Sequence, residues 1–140
     1  MKYKLVAFWL VVFGALFAFL QTRFEYHFYY IEQSQLFLFT EAYIRNKLLL
    51  PGGFSMLVAE FLVQFFIRPY VGALVTAALL TGVGVCTAGI VKRIAPISGL
   101  FILYVLPMLA LLFMHFDFNY RVQGTVCYLM MMALLCGYMR

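Results

Sequence analysis

The chain has 140 residues, of which 66% are hydrophobic and only 11% charged, with a formal net charge of +5 at pH 7. A soluble globular domain is nearer half apolar and a quarter charged, and a chain of this size cannot hide so much apolar surface from water by folding alone. Composition therefore excludes an ordinary soluble domain, and the modest basic balance gives no reason to expect a nucleic-acid partner.

The first predicted span, about 5–22, follows Lys2 and Lys4 and runs LVAFWLVVFGALFAFL from Leu5 to Leu20. It reads as a signal-anchor helix rather than a cleaved signal, because bulky Phe19-Leu20-Gln21 stands where cleavage wants small side chains. The segment Arg23–Pro69 comes next and carries Arg23, Glu25, Glu32, Glu41, Arg45, Lys47, Glu60 and Arg68. It is too charged to cross a bilayer and too aromatic for an ordinary loop. Its tract Phe24–Tyr30 is the composition of an aromatic belt at headgroup depth.

Within this segment an amphipathic helix is predicted over 33–50. Leu36, Phe37, Thr40, Tyr43, Ile44 and Leu48 fall at helical spacing, and Glu41 and Arg45 form an i,i+4 pair opposite. Pro51, Gly52 and Gly53 then break the helix and act as a hinge. A second helix is predicted over 54–67, where Glu60, Gln64 and Arg68 make one narrow polar stripe. It is too short to cross, so it lies in the interface or re-enters the membrane.

The second span, about 70–91, follows Pro69 and closes on Lys92-Arg93. Ala73, Ala77 and Thr81 form one row of small residues, and Ala78, Gly82 and Cys86 another. Small residues four apart let helix backbones approach closely in lipid. This helix is therefore expected to be the central packing element, set against Gly14 and Ala18 of the first span or against another chain. The third span, about 97–115, holds Pro107, a predicted kink or hinge. The fourth covers about 122–139. A hydrocarbon core of about 30 Å asks for roughly 17–25 helical residues, so the third and fourth are at the short end.

All four runs are continuously apolar rather than alternating, which favours helices over barrel strands. The predicted fold is an all-α polytopic membrane protein forming one domain over 1–140. It has four transmembrane helices, with two amphipathic helices between the first and second. Short flanks carrying Lys2, Lys4, Lys92, Arg93 and Arg140 put both termini in the cytoplasm. Cys86, Cys127 and Cys136 all fall inside spans, as buried thiols without a disulfide framework.

The polar residues supply the candidate chemistry. Glu25 and His27 just beyond the first span, with Glu32, could provide a general base or hold a divalent metal; the alternative is an aromatic-rich anchor. His115 and Asp117, near the short turn before the fourth span, could complete that site or simply cap the turn. Glu60 is a carboxylate on an apolar helix, which is costly and asks for a partner, and its own stripe offers Gln64 with Arg68 further along. The sulfur-rich fourth span (Cys127, Met130, Met131, Met132, Cys136, Met139) reads as flexible packing. Three consecutive methionines point about 100° apart and cannot face one ion together.

From Glu32 to Ala73 the wording Glu32-Gln33, Gln35-Leu-Phe37, Tyr43, Pro51-Gly-Gly53, Phe61-Leu62, Gln64-Phe-Phe66, Pro69 and Gly72-Ala73 is distinctive. It resembles the N-terminal part of an uncharacterised family of polytopic inner-membrane proteins found in Bacteroidota. The resemblance implies a bacterial inner-membrane location. It also implies that this chain is a short relative or the front of a longer protein. The layout, one span followed by a long outer loop with an acid near its start, is more loosely similar to membrane glycosyltransferases that use lipid-linked sugars. That likeness implies Glu25 as the key catalytic residue, serving as base or metal ligand, and only then a divalent metal.

Three functions are therefore expected. The first is a helix-packing subunit or N-terminal fragment without catalysis or cofactor, whose partners are the bilayer and other membrane helices in a homo- or hetero-oligomer. The second is part of a glycosyltransferase-type enzyme built on Glu25. The third is a small transporter or channel component hinged at Pro107.

Overall fold

A computed structural model describes residues 2–68, 70–94 and 101–139. Pro69, the start of the predicted third span and Arg140 lie outside the described residues. Those described form seven α-helices and no strand. They are α1 (Lys2–Arg23), α2 (Glu25–Ser34), α3 (Glu41–Leu48), α4 (Gly53–Val63), α5 (Val71–Ile94), α6 (Phe101–Met114) and α7 (Val122–Tyr138), with a 3-10 turn at Gln64–Ile67 after α4. The chain is all-α, and two of its helices, α1 and α5, are long and apolar enough to cross a membrane.

Helix α5 sits at the centre, with α1, α6 and α7 packed around it. Its small residues explain why three neighbours can approach one helix. Ala73, Thr76, Ala77, Leu80, Val83, Gly84, Thr87 and Ala88 are all buried. Ala73 and Ala77 face inward, while Thr81 of the same row lines the edge of an open groove. The row through Ala78 and Gly82 opens onto the same apolar groove of about 710 Å³, shared with Leu5, Trp9 and Phe13 of α1.

Helix α1 meets α5 differently from the sequence expectation. Gly14 and Ala18 are exposed, and none of the described residues would stand within 4 Å of a Cβ at Gly14. Trp9, Leu16 and Leu20 are buried in their place. The close approach is large against small: a Cβ on Gly84 would lie 2.6 Å from the Trp9 ring. Residues 9, 16 and 20 share one face at steps of seven and four, whereas 14 and 18 fall on another.

The segment between α1 and α5 also departs from the periodicity. Of the stretch 33–50, residues 33 and 34 end α2, 35–40 are non-helical, and the rest is helical only at α3. The aromatic tract is itself a helix, α2, which buries His27, Phe28 and Ile31. Its rings cover the 115–121 turn between α6 and α7, with Phe24 stacked on Phe116 at 5.1 Å and His27 4.9 Å from Phe118. Pro107 lies inside α6, as predicted. At the opposite end of the bundle, Arg93 Nη1 donates to the Cys136 carbonyl at 2.8 Å, a cation placed on the negative end of α7.

Candidate functional site: a paired carboxylate in the α3–α4 hairpin

Helices α3 and α4 fold back on one another at the predicted hinge. Gly52 takes φ 74°, a left-handed conformation that glycine adopts without strain. Gly53 comes so close to α3 that an added Cβ would lie 1.9 Å from the Lys47 carbonyl oxygen. Ser55 Oγ donates to the Gly52 carbonyl at 2.7 Å and secures the first turn of α4. The far face of α4 packs on α7, with Ala59 and Val63 fully buried.

This reversal decides how Glu60 is satisfied. Its Oε1 accepts from Lys47 Nζ at 2.7 Å, and its Oε2 accepts from the Tyr43 hydroxyl. Both partners come from α3, one turn apart. Lys47 also lies 3.1 Å from Met56 Sδ and 5.4 Å from the Tyr43 ring centroid. The Tyr43 oxygen is 3.1 Å from the Leu36 carbonyl. Burial, together with the carboxylate it faces, pushes the Tyr43 pKa up to about 12, so the phenol keeps its proton and remains a donor.

The expected intrahelical pairing of Glu60 with Gln64 is not what forms. Gln64 Nε2 reaches away to the Phe37 carbonyl at 2.8 Å, holding the non-helical stretch 35–40 against the end of α4. Phe37 packs edge-on to Phe61 at 5.8 Å in the same contact. Nor do Glu41 and Arg45 pair: among the described residues, Lys47–Glu60 is the one ion pair. Arg68 lies near exposed Glu25 instead, where both line a small crevice with Tyr29 and Tyr70.

Glu25 and His27 separate because residues two apart on a helix face away from one another. Glu25 is exposed, whereas His27 is buried and its Nε2 has no hydrogen-bond partner among the described residues. Burial lowers the His27 pKa, and the Asp117 carboxylate partly opposes that shift. His115 is also buried, its Nε2 2.9 Å from Thr125 Oγ1, and the Tyr120 hydroxyl is 3.0 Å from the same oxygen. Asp117 caps its turn by accepting the Asn119 backbone N–H at 2.9 Å. His27, His115 and Asp117 thus gather at one end of the bundle without Glu25. Among the described residues no three His, Cys, Asp or Glu side chains converge as metal ligands.

A polar cleft of about 260 Å³ opens beside the Glu60 cluster. Tyr43, Lys47 and Glu60 form one wall, Gln35 contributes from the stretch after α2, and Arg121 and Gln123 close it from the start of α7. Lys47, Tyr43, Arg121 and Gln123 escape a reading that looks for acids and imidazoles. A signal was nevertheless there: Lys47 and Glu60, of opposite charge, stand on either side of Pro51-Gly52-Gly53 within two helical turns of it, where a chain reversal can bring them together.

A family model matches residues 1–140, which takes in the hairpin, the cleft and every helix. The chain belongs to DUF6057, a family of unknown function. Membership of DUF6057 extends over the whole chain, beyond the Glu32–Ala73 stretch that carries the sequence resemblance. No curated protein and no solved structure matches this DUF6057 chain.

Proposed function

We propose that the protein is a multi-pass protein of the bacterial inner membrane that packs as a subunit with other membrane helices. On this reading α1, α5, α6 and α7 cross the bilayer, α2–α4 sit at its outer surface, and both chain ends face the cytoplasm. The observation that carries the proposal is the uncovered apolar surface of α1. Its most apolar window has a mean hydropathy of 2.2, yet only 17% of that window is buried. Val6, Leu10 and Val11 are mostly exposed, and lipid tails are the solvent that suits them.

Length supports α1 and α5 most directly, at about 33 and 36 Å for 1.5 Å per residue. Helix α7 reaches about 26 Å by the same rise, short of a core of about 30 Å, and the described part of α6 covers about 21 Å. Flanking residues and local thinning of the bilayer make up the difference. The groove along Ala78 and Gly82 offers a further helix a surface of small residues.

Alkaline carbonate extraction tests the membrane assignment: the protein stays with the membrane pellet, and its release into the supernatant would overturn the reading. Orientation is tested with Tyr30→Cys, an exposed α2 position, in a background where Cys86, Cys127 and Cys136 are replaced by alanine. An impermeant thiol reagent labels it from the periplasm; labelling only from the cytoplasm reverses the topology.

A further inference from the structure

We propose that the cleft between the α3–α4 hairpin and the start of α7 binds a phosphate group, with Arg121 as its principal ligand. The argument begins with charge. Lys47 and Arg121 are the cations lining the cleft and Glu60 is its lone carboxylate. Glu60 is already satisfied at both oxygens by Lys47 and Tyr43. That leaves the exposed Arg121 guanidinium with no carboxylate or other hydrogen-bond acceptor among the described residues. A planar guanidinium with five donors matches phosphate oxygens two at a time.

The rest of the lining suits the same ligand. Gln35 and Gln123 present side-chain amides that have no hydrogen-bond partner among the described residues. Two of Lys47's contacts are taken by Glu60 and Met56, and the ammonium carries three donors. The cleft therefore offers donors around a net positive charge, and the paired carboxylate does not repel an anion as a bare one would. Its volume of about 260 Å³ holds a phosphate with its immediate substituent but no acyl chain.

Phosphate at this place could come free from solution or on a lipid headgroup. Only the lipid source rests on placing the hairpin at the membrane surface; binding of free phosphate stands without that reading. The probes are inorganic phosphate and soluble short-chain phosphatidic acid, each titrated against detergent-purified protein at ionic strength matched with chloride. The readout is the shift in thermal unfolding midpoint, which rises with occupancy of the folded state.

Wild type is stabilised by at least one probe. Comparable affinity for both points to free phosphate, and binding of phosphatidic acid at least about tenfold tighter points to a headgroup. R121Q weakens binding about tenfold or more, the loss expected for a charge-assisted contact. R45Q, an exposed arginine of α3 away from the cleft, leaves it unchanged. Should R121Q fail to fold, Q123L decides the matter with about a threefold loss. The proposal is overturned if neither probe acts beyond chloride. It is equally overturned if R121Q, or Q123L in its place, binds as wild type, or if R45Q weakens binding as much as R121Q.

Discussion

Replacing Lys47 with methionine keeps the length and apolar stem of the side chain and removes the charge that holds Glu60. Unit charges 2.7 Å apart attract by roughly 6 kcal/mol at an effective dielectric of about 20. Much of that offsets the cost of drawing both groups from water. Side-chain exposures of 24% for Lys47 and 12% for Glu60 place the pair between a surface and a fully buried one. Removing one partner of a fully buried pair costs about 3–5 kcal/mol, while exposed pairs contribute about 0–1 kcal/mol. Lys47→Met is therefore expected to cost about 2 kcal/mol, since Glu60 keeps its bond from Tyr43 but loses its counter-charge. Glu60→Gln should cost about 1 kcal/mol, because Lys47 can turn toward water. The double variant should cost about 1.5 kcal/mol, less than the sum, which leaves a coupling of about 1.5 kcal/mol. Reversible unfolding in mixed micelles with rising SDS fraction measures all three. Additivity within about 0.5 kcal/mol would show that the two groups do not act as a pair, and the account of the hairpin would fail.

Gly53→Ala should destabilise by about 2–3 kcal/mol in the same assay, because the methyl meets the Lys47 backbone, which cannot swing aside; a loss below about 0.5 kcal/mol would contradict the close approach. Gly84→Ala should cost about 1–3 kcal/mol and shift the emission of Trp9, the sole tryptophan, with partial rescue by Trp9→Phe; an unchanged spectrum would remove the α1–α5 contact described above. His27 has a folded pKa below its unfolded value of 6.5, so the unfolded state takes up the proton first as pH falls. Its contribution is complete above about pH 6.5 and is lost as pH drops toward the folded pKa. His27→Gln should flatten the acid limb of a stability–pH profile, and an unaltered slope would count against a neutral buried imidazole.

Periodicity and punctuation located what depends on local chemistry. Helices α5 and α7 fall close to the limits predicted from the second and fourth apolar runs, and the reversal at Pro51–Gly53 is where proline and paired glycines place it. What failed was decided by contacts between distant residues. The apolar spacing at Leu36 and Phe37 continues that of α3, but these residues are non-helical because Gln64 and Phe61 of the α4 arm engage the Phe37 backbone and ring. Glu60 offered an apparent partner at i+4, yet a lysine across the hairpin presents a full charge where glutamine offers a dipole. Glu25 and His27 looked like one site while their segment was read as a belt; as helix α2 it turns them apart.

The α3–α4 hairpin closes across thirteen residues, from Lys47 to Glu60, whereas α4 docks on a helix that begins at Val122. During synthesis the short loop can form well before α7 exists, since closing a short loop is fast and needs no later segment. Glu60 can thus meet its counter-charge before α7 is made. Such an order would spare the growing chain a stage in which a bare carboxylate is pressed against apolar helices.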